Sequence, residues 1–387
     1  MPGGAPSHNY ALSMQPPPSN PPPRRAAVAI IGASGYSGIE ATRLLGSHPG
    51  VQLVVLSSDR WQGETVESRI GQAGTAAALR YTDQESALAA AQGCVAAFLC
   101  TPAEVSLELA PKLVAAGVKV VDLSGAFRLQ DRHAYQAAYR HEHTAADLLE
   151  EAVYGLPELG AAVRAAIAAA RLVANPGCYA TAAILALVPL LEAGLLDPEA
   201  VVINAASGTS GAGRKATEEM SFTEVSDDFR AYRVLRHQHT PEIGQSCARA
   251  AGRPVALTFT PHLLPLRRGI LSTVSARLAK GRDPAELQRA FVHKYAGVVP
   301  GAAAKAEAEP FVVLAAAPDQ VSLRGVVGTN RCQLAVDCGG GPLDPGRVIA
   351  VSSLDNLIKG AAGQAVQNLN LMMGWSEALG LTSLRGL

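Results

Sequence analysis

The 387-residue sequence predicts an α/β protein: a Rossmann-like, doubly wound parallel sheet, then a second α+β domain carrying a mixed or antiparallel sheet. Three observations lead there. Four continuous apolar runs before residue 125 read as buried parallel strands. A glycine turn joins the first run directly to a helix-like stretch, and beyond about Cys178 several strands alternate in polarity instead.

AAVAIIG (26–32) is a short apolar strand that meets a glycine turn, and YSGIEATRLLGSHP then spaces Ile39, Leu44 and Leu45 as a helix does. VQLVVLSS (51–58), VAAFLCT (95–101) and VKVVDLS (118–124) supply further parallel strands, and AEVSLELAPKLVAAG fits a crossover helix ending at Gly117. From Cys178 the pattern gives a helix (TAAILALVPLLEAG), strands VVINAA, VALTFTPHLLP and ILSTVSARL, and the helix DPAELQRAFVHKYAG. NLIKGAAGQAVQNLNLMMGW (356–375) reads as a closing amphipathic helix able to pack on either domain. The expected organisation is a Pro-rich tail at 1–25, which cannot bury enough apolar surface to order itself, a nucleotide-binding domain at 26–177, a catalytic and oligomerisation domain at 178–355, and a C-terminal helix at 356–387.

Composition narrows the function. Lys+Arg and Asp+Glu balance at 33 each, so no net field favours nucleic acid or an anionic membrane. No apolar run approaches the ~20 residues that span a bilayer. The 6 cysteines show no CxxC pair, which argues against a zinc ribbon or a disulfide scaffold and for a reducing compartment. No metal site is expected. His237 and His239, like His141 and His143, form a His-x-His without a third ligand at persuasive spacing, and His141 and His143 read as surface or loop residues.

Gly32, Gly35 and Gly38 (GASGYSG) stand between strand and helix, where glycine lets the backbone approach a pyrophosphate and the helix N-terminus favours its charge. The loop Gly32, Ser34, Gly35, Tyr36, Ser37 and Gly38 is therefore expected to hold a dinucleotide. At the end of the second strand, Ser57, Ser58 and Arg60 can donate to a ribose phosphate, which points to NADP(H). Cys178, after Asn175-Pro176-Gly177, falls in the first turn of a helix, where free N–H groups and the positive end of the dipole favour thiolate. A thiolate beside a reduced nicotinamide can attack an activated acyl group, hold it as a thioester and receive hydride. In RHQHTPEI, read as extended, His237 and His239 face one pocket and one exchanges a proton with the thiol. SGTSGAGR (207–214) offers Ser207, Gly208, Gly211 and Gly213 as an anion cradle, and Arg128 and Arg214 as partners for phosphate or carboxylate. A short-chain dehydrogenase is excluded because no tyrosine has lysine four residues on, and a serine hydrolase because GxSxG is absent.

GASGYSG, DLSGAFRL, AVYGLPEL, ANPGCYATA, SGTSGAGR, HQHTPEI, RGILST and DNLIKGAAGQAVQNLNLMMG, in that order, resemble the N-acetyl-gamma-glutamyl-phosphate reductases, relatives of aspartate-semialdehyde dehydrogenase, over nearly everything after the tail. The resemblance implies that Cys178 forms an acyl-enzyme thioester with release of phosphate, and that NADPH reduces it to N-acetylglutamate semialdehyde. It implies an acid–base histidine in the HQH segment, with His237 slightly preferred and His239 open. Thr101, Pro102 and Asn356 would join the cofactor site, and Arg128, Asn175, Ser207, Arg214 and Glu242 the substrate site. It further implies a homodimer or homotetramer, placed in the chloroplast stroma if the chain is plant or algal and in the cytoplasm otherwise. Thr101-Pro102-Ala103-Glu104 departs from the family's common Leu-Pro-His-Gly, and Ala126, Ala180 and Gln238 replace frequent Asp, Pro and Arg. Related reductases of aspartyl or aminoadipyl phosphate, and a non-catalytic NADPH-binding protein, are the competing readings.

Overall fold

A computed structural model describes residues 25–296, 308–339 and 346–381, so the stretch read as a tail lies outside the described residues except for Arg25. The strands β1 (Ala26–Ile31), β2 (Val51–Leu56), β3 (Ala96–Leu99), β4 (Lys119–Asp122), β5 (Val153–Tyr154) and β6 (Leu172–Ala174) pair in parallel in the order β2-β1-β3-β4-β6-β5. The order reverses between β1 and β3, which places a crevice at their carboxyl ends. The strands stop one or two residues short of the apolar runs that predict them, because the last residues leave the ladder to shape that crevice. Ser57, for example, turns its hydroxyl to accept from the Gly32 N–H at 3.0 Å.

The second sheet contains β7 (Val201–Gly208), β8 (Arg230–Ala231), β9 (Leu257–Leu264), β10 (Ile270–Arg277), β11 (Val312–Leu314), β12 (Cys332–Gly339) and β13 (Arg347–Leu354), in the order β11-β12-β13-β10-β7-β9-β8. It is mixed: β7 pairs in parallel with β9 and β11 with β12, and the other pairs are antiparallel. The helix Cys178–Glu192 packs against this sheet and is buried at every position from Tyr179 to Leu191, as its unbroken apolar character requires. Pro189 inside it has no N–H, which leaves the Leu185 carbonyl without its helical partner. The Tyr295 hydroxyl donates to that carbonyl at 2.6 Å.

The C-terminal segment departs from the amphipathic reading. A π-helical turn, Ile358–Ala362, runs into the helix Gly363–Met372, whose Ala365, Val366, Leu369 and Met372 share a core with Val28 and Ile30 of β1. Its polar side is buried too: Gln364, Gln367, Asn368 and Asn370 have no exposed surface. These side chains bond inward, Asn368 to the Gly155 carbonyl at 2.9 Å and Asn370 to His48 at 3.0 Å, so the polar stripe meets protein rather than water.

Gly32 has φ +85°, and a Cβ there would lie 2.6 Å from the Cys100 carbonyl oxygen; a Cβ on Gly38 would lie 2.4 Å from the Gly32 oxygen. Only glycine lets these three backbone segments meet. Gly38→Ala is expected to lower stability by about 1–3 kcal/mol through overpacking, read as a fall in the urea midpoint at constant slope. An unchanged midpoint would show that the loop does not need the close approach.

Candidate active site

Cys178 is the first residue of its helix, and the N-cap Gly177 makes no side-chain cap, so the first-turn N–H groups point outward unused by any capping side chain. What fixes this end is Glu242. Its carboxylate is fully buried and accepts from the Gly177 N–H at 2.8 Å and from the Tyr154 hydroxyl at 2.7 Å. Arg128 lies on the other side, with Nη1 3.7 Å from Glu242 Oε2, Nε donating to the Asn175 carbonyl at 2.8 Å, and Nη2 donating to the Leu123 carbonyl at 2.8 Å.

His239 opens the helix His239–Ala251, and Glu242 stands three residues on, on the same face. The His239 ring fills the space a side chain at position 177 would take: a Cβ on Gly177 would lie 2.3 Å from His239 Nε2. The same nitrogen is 3.5 Å from Arg128 Nη1. His237 packs edge-on against Tyr179, Tyr232 and Phe259, with its Nδ1 accepting the His239 N–H at 3.1 Å. The two imidazole centroids are 4.8 Å apart, so the two rings pack against each other. The segment is a turn entering a helix rather than the extended stretch expected.

Burial pushes the Cys178 thiol up to about 11, although Arg128 and the Tyr179 N–H pull it down. The helix-terminus argument therefore gives the sign of one contribution and not the net result. Burial also lowers His237 to about 3, helped by His239 and Arg233, and His239 to about 3, helped by Arg128 and Arg233. In the free protein the proton rests on sulfur and both rings are neutral.

Gly35 caps the helix Tyr36–Gly46 without a side-chain bond, which leaves the N–H groups of that turn open to an anion. Ser57 and Ser58 are committed locally, to the Gly32 and Trp61 N–H groups, and Arg60 is exposed. Thr101 bonds Ser106 at 2.8 Å, and Pro102 caps the crossover helix. Arg214, expected at the substrate, donates to the Ser34 carbonyl at 3.0 Å and stacks 4.5 Å over Trp61, so its contacts belong to the nucleotide loop. It also lines a cavity of about 430 Å³ with Tyr36, Arg43, Arg69, Lys215, Arg267 and Arg268, where Glu40 is the one acidic side chain.

Other expected contacts are reassigned by geometry. The Asn175 amide donates to the Ala361 carbonyl at 3.1 Å and accepts from Asn368 at 3.1 Å, which makes it a tie to the C-terminal segment rather than a free substrate donor. Glu242 is likewise a buried anchor. Asn356 accepts from the Gly269 N–H at 2.8 Å and donates to Ser210 at 3.0 Å, bracing the loop of Ser207, Gly208, Gly211 and Gly213. The Ser207 hydroxyl bonds the Gly208 carbonyl at 3.1 Å. His143, read as a surface or loop residue, is buried and bonds the Ala126 carbonyl at 2.9 Å. Glu104, which replaces glycine in the common family pattern, lies 3.5 Å from His141. Tyr154, Tyr179 and Tyr232 were not singled out by sequence, since nothing local marks a tyrosine as a neighbour of a distant carboxylate.

Two pH effects follow from these groups. Alkylation of Cys178 in the free protein should rise about tenfold per pH unit from pH ~8 to ~10, because only thiolate reacts; a plateau near neutrality would contradict the protonated thiol. Between pH ~6.5 and ~3 the unfolded chain protonates His237 and His239 while the folded chain does not, so stability falls as pH falls through that window. His237→Asn removes one such group, and its urea midpoint should fall less steeply than that of the wild type between pH ~6.5 and ~4.

The semialdehyde dehydrogenase NAD binding domain family matches residues 27–168, and the semialdehyde dehydrogenase dimerisation domain family matches residues 178–356. Among solved structures, aspartate semialdehyde dehydrogenase II from Vibrio cholerae, complexed with ASA, is similar with a TM-score of 0.67 at 17% identity, covering 91% of this chain and 99% of that one. The Candida albicans aspartate semialdehyde dehydrogenase with NADP gives a TM-score of 0.61 at 14% identity over 90% of this chain and 98% of that one. These structures share the fold. The N-acetyl-gamma-glutamyl-phosphate reductase of Symbiobacterium thermophilum is 43% identical over 357 residues, 92% of this chain and 97% of its own length. That of Laribacter hongkongensis is 43% identical over 354 residues, with 92% and 97% covered. At this identity and coverage the chain belongs to the N-acetyl-gamma-glutamyl-phosphate reductase family.

Proposed function

We propose that the chain carries out the NADPH-dependent reductive dephosphorylation of N-acetyl-gamma-glutamyl phosphate to N-acetylglutamate 5-semialdehyde, through a thioester on Cys178. The observation that carries the reading is the seating of Cys178 at an uncapped helix N-terminus, with the His239 ring lodged against the preceding Gly177.

The residues present fit a dinucleotide. Gly35 has nothing closer than 3.7 Å where a side chain would project, the N–H groups of its helix are uncapped, and the adjoining cavity is strongly cationic, which favours the additional phosphate of NADP(H). Gly32, Ser34, Gly35, Tyr36, Ser37 and Gly38 would hold the pyrophosphate, and Arg214 would lie beside it. NADPH, when bound, supplies the hydride.

Deprotonated Cys178 Sγ attacks the acyl carbon, and the bond from that carbon to the phosphate oxygen breaks, releasing inorganic phosphate and leaving a thioester. The uncapped first-turn N–H groups favour negative charge developing on the carbonyl oxygen. After reduction at the acyl carbon the C–S bond breaks, and sulfur leaves as thiolate. His239 is the proton carrier in this reading: its ring lies against Gly177, the residue just before the nucleophile, and the neutral imidazole is able to accept the thiol proton and return it. His237, enclosed by aromatic rings, steadies His239 through the Nδ1 bond to its N–H. The Arg128 cation stabilises the negative charge that passes through sulfur.

The proposed division is a nucleotide domain over 26–177 and a catalytic domain over 178–355, with residues from 356 returning to the former. A dimer is proposed on the family match and on the exposed Phe222, Phe229 and Leu235 of the second domain. The compartment, cytoplasm or plastid stroma, is proposed to be reducing, in keeping with six free cysteines. Among the described residues no helix is long and apolar enough to cross a membrane, and no group of His, Cys, Asp or Glu could hold a metal ion.

The test is phosphate-dependent reduction of NADP by N-acetylglutamate semialdehyde. The wild type should be active and Cys178→Ser should lose activity by about 10⁴-fold or more. His239→Asn should cost about 10²–10⁴-fold, and His237→Asn less. Equal, negligible rates in the wild type and Cys178→Ser would instead identify a non-catalytic binding protein.

A further inference from the structure

Lys359 and Glu158 form an ion pair with no exposed surface on either side chain, 2.5 Å between Lys359 Nζ and Glu158 Oε1. The ammonium is fully engaged: it also donates to Gln364 Oε1 at 2.6 Å and Gln367 Oε1 at 2.9 Å, and it sits 5.6 Å from the Phe311 ring centroid. Burial raises the Glu158 carboxyl, but the Lys359 charge and the bonds from Lys359 and Gln367 bring it below the ordinary range. No step of the chemistry above uses either residue.

Their place in the fold is informative. Lys359 is the second residue of the π-helical turn Ile358–Ala362, whose widened spiral is closed by the Ala362 N–H bonding the Leu357 carbonyl at 2.9 Å. The next residue, Gly360, lies directly on the thiol-bearing residue: a Cβ on Gly360 would stand 2.6 Å from Cys178 Cβ and 3.1 Å from its Cα. Glu158 belongs to a different part of the chain, the turn Pro157–Leu159 that follows β5. The pair therefore pins the turn that abuts the nucleophile to the nucleotide domain, from which Tyr154 also reaches Glu242.

We propose that Lys359 and Glu158 are positioning residues for the reaction: through the π-turn they fix Gly360 against Cys178 and so set where the sulfur stands relative to the acyl carbon. A buried ion pair gains little or no stability over an apolar pair of similar size, because two charges lose their hydration, whereas removing one partner leaves a buried charge uncompensated. What the pair adds is directional: a charge-assisted, three-acceptor lock that an apolar contact does not reproduce. The inference rests on the reading of Cys178 as nucleophile, and one of its readouts is alkylation of Cys178, which needs no turnover.

The experiment compares Lys359→Met, Glu158→Leu and the double variant with wild type in the full-length protein. Each single variant should unfold at a lower temperature, and the double variant should recover much of that loss. In the double variant kcat should nevertheless stay down about tenfold or more, with KM for NADPH within about twofold, as expected when a nucleophile is displaced by a fraction of an ångström. Its Cys178 alkylation rate should differ from wild type by about threefold or more. Recovery of kcat and alkylation together with thermal stability would overturn the proposal, since the pair would then be structural only. If the double variant does not fold, Glu158→Gln, which keeps the acceptor and shape but not the charge, decides by the same two readouts, and unchanged values overturn it. Full activity of Cys178→Ser would instead remove the nucleophile reading, and it would leave the alkylation comparison intact.

Discussion

The site depends on one buried carboxylate. Glu242 accepts from the Gly177 N–H, the Tyr154 hydroxyl and, at longer range, faces Arg128, and none of its surface is exposed. These contacts join three parts of the chain: the start of the Cys178 helix at the heart of the second domain, the end of β5 in the first sheet, and the helix that carries His239. Since His239 and Glu242 lie one turn apart on one helix face, anchoring the carboxylate also sets the imidazole against Gly177. The missing side chain at Gly177 completes the arrangement, because any Cβ would occupy the space of His239 Nε2. A glycine that looks like a turn residue in the sequence is thus a contact surface for the His239 ring.

The same enclosure decides the electrostatics. A helix N-terminus and a cation both favour thiolate at Cys178, yet the thiol is held at about 11 because burial outweighs them. Burial acts in the opposite sense on His237 and His239 and keeps both imidazoles uncharged. The free protein therefore stores the pair as neutral thiol and neutral ring. Moving the proton from sulfur to His239 creates two charges in a buried site, and Arg128 stabilises one of them while opposing the other. This asymmetry ties ionisation to events that add charge or structure to the pocket and limits the reactivity of the thiol in the free protein.

Much of this was legible in the sequence, and the illegible parts have physical reasons. The four leading apolar runs mark β1 to β4 because parallel strands covered on both faces need apolar side chains at nearly every position. β5 and β6, of two and three residues, are too short to carry a period, and β12 and β13 were passed over although RCQLAVDC and RVIAVSSL hold apolar and β-branched residues. Cys178, the two histidines and the glycine loop announce themselves through local chemistry. The roles of Asn175, Arg214 and Glu242 do not, since an amide, guanidinium or carboxylate is assigned by what it meets in space, and its partners here are 65 to 193 residues away along the chain. The polar residues of NLIKGAAGQAVQNLNLMMG misled for the opposite reason: a periodic polar stripe ordinarily faces water, whereas this one faces a second protein surface.

That second surface explains why the C-terminal segment carries so many amides. Its apolar side completes the core beside β1, while its polar side must satisfy carbonyls and carboxylates from Gly155, Glu158 and Asn175 that would otherwise be buried unpaired. Arg268, between β9 and β10, ion-pairs with Glu40 on the helix of the nucleotide loop and lies 3.5 Å from Asp355 just ahead of the π-turn. Arg214 crosses to Ser34 in the same region. Side chains from the loops of the second sheet are therefore locked onto the nucleotide loop and its helix, and every one of these links has a charged partner that would be costly to leave without its mate. The separation between the nucleotide loop and the thiol is accordingly constrained by the fold itself, the preorganisation that the proposed hydride delivery to a covalently held acyl group would require.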